Sequence, residues 1–187
     1  MVKSKDIVDL YLELGDFKQA VRESGLPVHI AHIRLLRSGA LKVQDKVKYG
    51  SESAKLGGEA EELFQKYVPD AVDANKYFKK NHPVYDFRFD NLTIDVKYSS
   101  YRTNKAGGHY WGCRSKGEQD FICIFLEREI GRKLEDPYVL LIPHTFIDQG
   151  HIHISKSGSW FRDFKVEPEE IQPLLRDYSE LREVGEF

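Results

Sequence analysis

Cysteine and methionine are nearly absent from this chain of 187 residues, with two of the first and one of the second. Two cysteines make no disulfide framework, and Cys123 falls inside the apolar run Phe121–Leu126, where a buried, reduced thiol is expected. Long hydrophobic runs are missing as well. That run and residues 138–142 stop far short of the roughly 20 residues that a membrane-spanning helix needs. The opening Met1-Val2-Lys3-Ser4-Lys5-Asp6 has no apolar core of the secretory kind, so the expected location is cytoplasmic and not secreted. No internal repeat, low-complexity tract, Walker-type phosphate loop or dinucleotide fingerprint occurs, and no serine or cysteine hydrolase pattern. What is present fits a soluble globular chain. Its 41% of hydrophobic residues is too high for disorder, and its 31% of charged residues too high for a membrane protein. The length suits one domain, or one domain with a small appendage.

The net charge of −2 conceals an uneven distribution. Residues 1–50 carry nine Lys and Arg against six Asp and Glu, whereas the other 137 carry 19 against 24. Between Val96 and Gly117 there is no acidic residue, but there are Lys97, Arg102, Lys105, Arg114 and Lys116, interleaved with Tyr98, Tyr101, Tyr110 and Trp111. Local positive charge of this kind serves nucleic-acid contact whatever the overall balance.

Three short helical patterns open the chain. Ser4 is placed to cap a helix whose apolar residues Ile7, Val8, Tyr11, Leu12 and Leu14 recur at helical spacing before Gly15. Asp16 is placed to cap a second, Phe17–Ser24, with Phe17, Ala20 and Val21 inward and Gly25 at its end. A third spans 28–37 and closes at Gly39, with Ala31 and Leu35 on one side and His29, His32, Arg34 and Arg37 outward. Helix, glycine-containing turn, helix is the layout of a helix-turn-helix. The segment Phe17-Lys18-Gln19-Ala20-Val21-Arg22-Glu23-Ser24-Gly25-Leu26-Pro27 resembles such DNA-binding modules, over about 35 residues in all. A plain helical bundle is the alternative. The polar stretch 42–53 reads as a linker.

From Leu56 the pattern changes. Residues 59–68 read as a helix with Ala60, Leu63, Phe64 and Tyr67 apolar, stopped by Pro69, and 70–82 fit no single pattern. Residues 84–98 alternate with period two; Phe121–Leu126, 138–142 and His151–Ile154 read as further strands; Pro168–Glu183 reads as an amphipathic helix. The expected fold class is α/β, of the mixed α+β kind.

The stretch Tyr85-Asp86-Phe87-Arg88-Phe89-Asp90-Asn91-Leu92-Thr93-Ile94-Asp95-Val96-Lys97 is the most informative. Asp90-Asn91 makes a two-residue hairpin turn, since both residues tolerate positive φ. Phe89 then faces Leu92, Phe87 faces Ile94 and Tyr85 faces Val96, and the other face sets Asp86 opposite Asp95, with Lys97 two residues on. Like charges directly opposed destabilise a ladder by a few tenths to about 1 kcal/mol in water, and by more when desolvated. A divalent cation removes the conflict: hard oxygen ligands on two strands suit Mg²⁺ or Mn²⁺. Lys97 beside it is placed to orient or help deprotonate a water and to offset phosphate charge.

Glu59 on a helix, Asp86, and then Asp95-Val96-Lys97 together resemble the PD-(D/E)XK nuclease superfamily, over roughly residues 56–153. The resemblance implies a restriction-endonuclease-like mixed sheet flanked by helices, in the order helix, three-strand meander, helix, strand. It implies Asp86 and Asp95 as metal ligands, Lys97 as the catalytic lysine and Glu59 as the helix acid, with Glu61 and Glu62 as alternatives. Gly57-Gly58-Glu59 looks like the Gly-Glu start of that helix. Tyr85 stands where the motif's name calls for proline, and Pro83 lies three positions before Asp86. The implied organisation is a helix-turn-helix-like module at 1–50 and a nuclease-like catalytic domain at 51–187.

The expected activity is Mg²⁺- or Mn²⁺-dependent hydrolysis of DNA phosphodiester bonds, with double-strand cutting implying a homodimer. A non-catalytic DNA-binding protein on a nuclease-like scaffold, or a nuclease acting on RNA, are the alternatives. Tyr101, Arg102, Lys105, Arg114 and Lys116 are candidate phosphate contacts, with Tyr110 and Trp111 placed to stack on bases or to pack beneath a loop. His151 and His153 share one strand face, a spacing compatible with zinc or nickel, but no third ligand lies at suitable spacing and an exposed strand face is favoured. His109 and His144 are candidates only for auxiliary roles.

Overall fold

The most apolar stretch becomes the most buried strand, and the rest of the larger unit is layered around it. The computed structural model describes residues 6–41, 52–77, 85–115 and 117–187, so the expected cap Ser4, most of the proposed linker, Pro83 and Lys116 lie outside the described residues. Contacts divide the chain into two compact units, Met1–Gly58 and Glu59–Phe187. Among the described residues no helix is long and apolar enough to cross a membrane.

The first unit holds α1 (Ile7–Leu14), α2 (Phe17–Ser24) and α3 (Val28–Ser38). Asp6 caps α1, its carboxylate accepting the Val8 N–H at 2.9 Å, and Asp16 caps α2 through the Gln19 N–H at 2.8 Å. The second cap is the expected one. Gly25 breaks the chain between α2 and α3 at φ 67°, a left-handed conformation that glycine adopts without a Cβ penalty. Ile7, Leu10, Phe17, Ala20, Ala31 and Leu35 close a small core.

In the second unit α4 (Glu52–Tyr67), which begins before the unit boundary, leads to β1 (Val72–Asp73) and the single-turn α5 (Ala74–Tyr77). Then follow β2 (Phe87–Phe89), β3 (Leu92–Ser99), β4 (Arg102–Thr103), β5 (His109–Arg114), β6 (Phe121–Leu126), β7 (Tyr138–Pro143), β8 (His151–Ile154), α6 (Ser159–Phe164), β9 (Lys165–Val166) and α7 (Pro168–Glu183). A six-stranded sheet runs β1-β2-β3-β6-β7-β9, with β3 and β6 parallel and every other pair antiparallel. A second sheet runs β4-β5-β8. Every residue of β6 is buried, which is why it reads as an unbroken apolar run: Phe121, Cys123 and Phe125 face the helices, and Ile122, Ile124 and Leu126 the small sheet. Ala60 and Phe64 of α4 and Ile171 and Leu175 of α7 pack on the first face; Trp111, Cys113, Ile152 and Ile154 cover the second. Full burial of each such aliphatic or aromatic side chain stabilises by roughly 1.5–3 kcal/mol.

The expected mixed α+β architecture, a mixed sheet flanked by helices, is present. Two details differ. The helix that the periodicity began at Glu59 starts at Glu52, so Gly57 and Gly58 lie inside it and do not open it. The crossover between the parallel strands β3 and β6 carries the β4–β5 hairpin where the family order calls for a helix. That segment is short, glycine-rich and aromatic, which suits a strand pair covering a sheet face.

The start of β6 is tied to α7 through Asp120. Its carboxylate accepts the Thr93 N–H (2.8 Å) and hydroxyl (2.9 Å) and is held by two Arg182 nitrogens at 2.8 and 2.6 Å. Burial lifts the Asp120 carboxyl, but Arg182 and Thr93 outweigh it and hold the group below its usual value. Arg182→Ala is expected to cost about 1–2 kcal/mol in urea unfolding at pH 7, the partial exposure of the pair screening it. A depressed carboxyl contributes stability above its unfolded pKa and loses it as the pH falls through the folded value. The gap between wild type and variant should therefore close below about pH 4.

Candidate active site

β3 divides its residues between two environments. Leu92, Ile94 and Val96 enter the helix-side core, so Asp95, Lys97 and Ser99 project from the opposite face. There Ser99 Oγ donates to the Gly112 carbonyl (2.9 Å) and accepts the Gly112 N–H (3.1 Å), fastening β5 across β3.

The expected hairpin register runs through Phe89–Leu92 and Phe87–Ile94, with Asp90 turning at φ 50°. At Asp86 the ladder changes. Its N–H donates to the Ile94 carbonyl at 3.0 Å, and its carboxylate Oδ2 accepts the Val96 N–H at 2.8 Å. Phe87 and Asp86 thus both engage Ile94, as in a β-bulge, and the Tyr85–Val96 pairing is replaced by a side chain. The Asp86 carboxyl is brought over β3 into hydrogen-bonding reach of Asp95. The Lys97 ammonium sits 2.6 Å from Asp95 Oδ1. The side chains of Asp95 and Lys97 are 7% and 39% exposed, so the carboxylate is buried and the lysine lies on its solvent side.

Burial is the largest influence on Asp95 and pushes its carboxyl up to about 7; Lys97 pulls it down, and Asp86 adds to the rise. At Lys97 burial acts to lower the amine, but Asp95 and Asp86 prevail and hold it above its ordinary value. Lys97 is accordingly an ammonium, suited to offsetting negative charge and to donating hydrogen bonds. Cys113 borders both groups from β5, and burial raises its thiol to about 12, which keeps it an inert thiol. No residue pattern places Cys113 here, because its proximity follows from β5 folding back over β3.

The donor chemistry fits a hard divalent cation: two carboxylates from adjacent strands in contact, with a charge conflict that a cation relieves. Glu59 is exposed on α4, and among the described residues no three His, Cys, Asp or Glu side chains gather closely enough to hold a metal. The structure therefore brings together Asp86, Asp95 and Lys97, and not Glu59 with them.

Of the expected nucleic-acid contacts, Arg102, Lys105, Arg114, His29, Arg34 and Arg37 are exposed. His32 is half-buried, its ring edge-on to Phe17 at 5.9 Å, and does not point freely outward. Tyr101 stacks between His109 (4.8 Å) and Trp111 (4.6 Å). Trp111 is fully buried and donates Nε1–H to the Glu127 carbonyl at 2.8 Å, so it packs beneath the hairpin and is not presented to bases.

Replacing one member of the opposed pair tests the conflict. Asn at position 86 keeps an acceptor for the Val96 N–H and removes the like charge. In EDTA, Asp86→Asn is expected to raise unfolding stability by about 1 kcal/mol at pH 8. At pH 5, where the raised Asp95 carboxyl already holds a proton, the gain should shrink towards zero. Urea titrations at the two pH values decide it.

No protein-family model and no curated protein matches the chain. Among solved structures it is similar to a bacterial homing endonuclease, I-Ssp6803I, with a TM-score of 0.49 and 16% sequence identity, over 71% of this chain and 99% of that one.

Proposed function

We propose that this protein is a divalent-metal-dependent DNA endonuclease of the PD-(D/E)XK type. The observation that carries this reading is the contact of Asp86 with Asp95, with the Lys97 ammonium 2.6 Å from Asp95. A solvated strand end has no use for such an arrangement, since it opposes like charges and buries one of them. Asp86 and Asp95 are the residues that would hold Mg²⁺ or Mn²⁺. When bound, the cation supplies Lewis acidity and a water of lowered pKa beside the scissile phosphate. Lys97 orients the attacking water by donating a hydrogen bond and offsets the charge gathering on the phosphate oxygens. Hydrolysis joins the water oxygen to phosphorus and releases the sugar oxygen with a proton. Glu59 enters only as the acid that the family pattern assigns to its helix.

DNA as the substrate is supported by charge and shape on α3. That helix contains no Asp or Glu, and it exposes Arg34 and Arg37 alongside Ile30 and Ile33, each isoleucine 43% exposed. Guanidinium groups meet phosphates or guanine, and aliphatic side chains meet thymine methyl groups. A homodimer supplying one centre per strand completes double-strand cleavage under this reading.

Two measurements test it. Lys97→Ala, assayed on plasmid DNA with Mg²⁺, is expected to lower cleavage by at least about a hundredfold while leaving DNA binding in EDTA intact. Undiminished cleavage by that variant removes the assigned mechanism. Mn²⁺ at about a hundred times its dissociation constant should stabilise the chain by about 2.7 kcal/mol, and the stabilisation should vanish in Asp86→Asn. A melting curve indifferent to Mn²⁺ would favour the non-catalytic scaffold instead.

A further inference from the structure

The small sheet has a second face that the site does not use. Its inner side chains, Trp111, Cys113, Ile152 and Ile154, are buried against the main sheet. Strand alternation therefore turns Tyr110, Gly112, Arg114, His151 and His153 outward, and Arg102, paired with Tyr110, shares their side. None of β4, β5 and β8 contains an acidic residue. The face is also ordered. The Tyr110 and His153 rings stack at 4.7 Å with planes 19° apart. The His151 ring lies over the bare Gly112 backbone, so close that a Cβ there would meet it at 3.2 Å. Two imidazoles and a phenol thus form a flat platform with a guanidinium position at each end.

Its direction relative to the catalytic cluster is fixed by two contacts. Gly112 is bonded to Ser99, and Cys113 borders Lys97 and Asp95. β5 therefore runs back along β3, which puts Arg114 and its partner His151 at the Asp95 end and Tyr110 and Arg102 at the far end. From Tyr110 to Arg114 is roughly 14 Å at about 3.4 Å per residue, or about four base-pair rises measured along the axis of a duplex.

We infer that this outer face is a docking surface for double-stranded DNA. Arg102 and Arg114 hold phosphates of the DNA backbone, Tyr110, His151 and His153 seat the backbone between them, and the strand is led towards Asp95 and Lys97. The occupant is set by charge complementarity: a cationic face free of carboxylates meets a polyanion, and its flatness suits a backbone more than an inserted side chain. The inference rests on the endonuclease reading and names where its substrate lies.

The test uses the full chain in EDTA, so that binding is separated from cleavage, with a labelled 30-base-pair duplex titrated between about 50 and 200 mM salt. Arg102→Ala combined with Arg114→Ala is expected to weaken binding about tenfold or more and to reduce the slope of log K against log salt by about 1.8. Arg102→Lys with Arg114→Lys should retain the slope, and Lys66→Ala, on the exposed side of α4, should change neither quantity. A melting temperature close to wild type shows that each variant is folded. Wild-type binding with an unchanged slope in the folded double alanine variant overturns this surface and leaves the endonuclease reading standing. A wild-type chain that neither binds nor cuts duplex DNA overturns both.

Discussion

Two carboxylates held in contact, one of them almost wholly out of water, form the interaction on which the rest of this structure turns. Asp95 is 5% exposed, and burial, with Asp86 adding to it and Lys97 opposing it, drives its carboxyl up to about 7. A chain selected for stability alone would relieve this with an amide or an apolar residue. The fold instead surrounds the pair with a core able to offset it. Ile94 and Val96, flanking Asp95 in sequence, are buried against Phe64, Phe87 and Phe121, and the neighbouring β6 is buried on both faces. The repulsion costs of the order of 1 kcal/mol, against several side chains that each stabilise by more than that.

The layers around the sheet are arranged to hold the site still without sealing it. Ser99 fastens β5 to β3, and the buried Glu127 carboxylate gathers the N–H groups of Tyr101, Gly131 and Lys133, tying the end of β3 to the loop after β6. Trp111 stacks in parallel on Phe161 and on Tyr101, which locks the hairpin to the main sheet. The crossover β4–β5 consequently does two things that a helix could not do in so few residues. Its inner face completes a hydrophobic layer and sets Cys113 beside Lys97, while its outer face stays polar, cationic and open.

Local patterns made the elements legible and non-local contacts hid their relations. Period-two alternation gave β8 and the hairpin register at Phe87–Ile94, apolar continuity gave β6, and the cap at Asp16 fixed the start of α2. Asp86 meeting Asp95 followed from that register, although the bulge that brings it about did not: an N–H shared at Ile94 and a carboxylate replacing a carbonyl leave no trace in residue type. The polar residues around Trp111 in β5 leave its face open in the sequence; only the pairing with β8 shows which face it takes. α4 starts earlier than the apolar periodicity indicates because Gly57 and Gly58, poor helix formers, lie inside it. The outcome at Lys97, where burial and two carboxylates pull in opposite directions, depends on distances and not on composition.

The same physics explains why the carboxylate–ammonium cluster sits on β3 and not on a loop. Side chains alternate strictly along a strand, so a slip of one residue would drive Lys97 and Asp95 into the phenylalanine layer and set Ile94 and Val96 among the polar groups on the other face. The cost of that exchange, several buried aliphatic groups and two buried charges together, far exceeds any gain from separating Asp86 and Asp95. Register is therefore set by the core, and the positions of the two carboxylates and the ammonium are inherited from it. The hydrophobic layer acts as the positioning device of the cluster, and the strand that is most costly to shift is the one that carries Asp95 and Lys97.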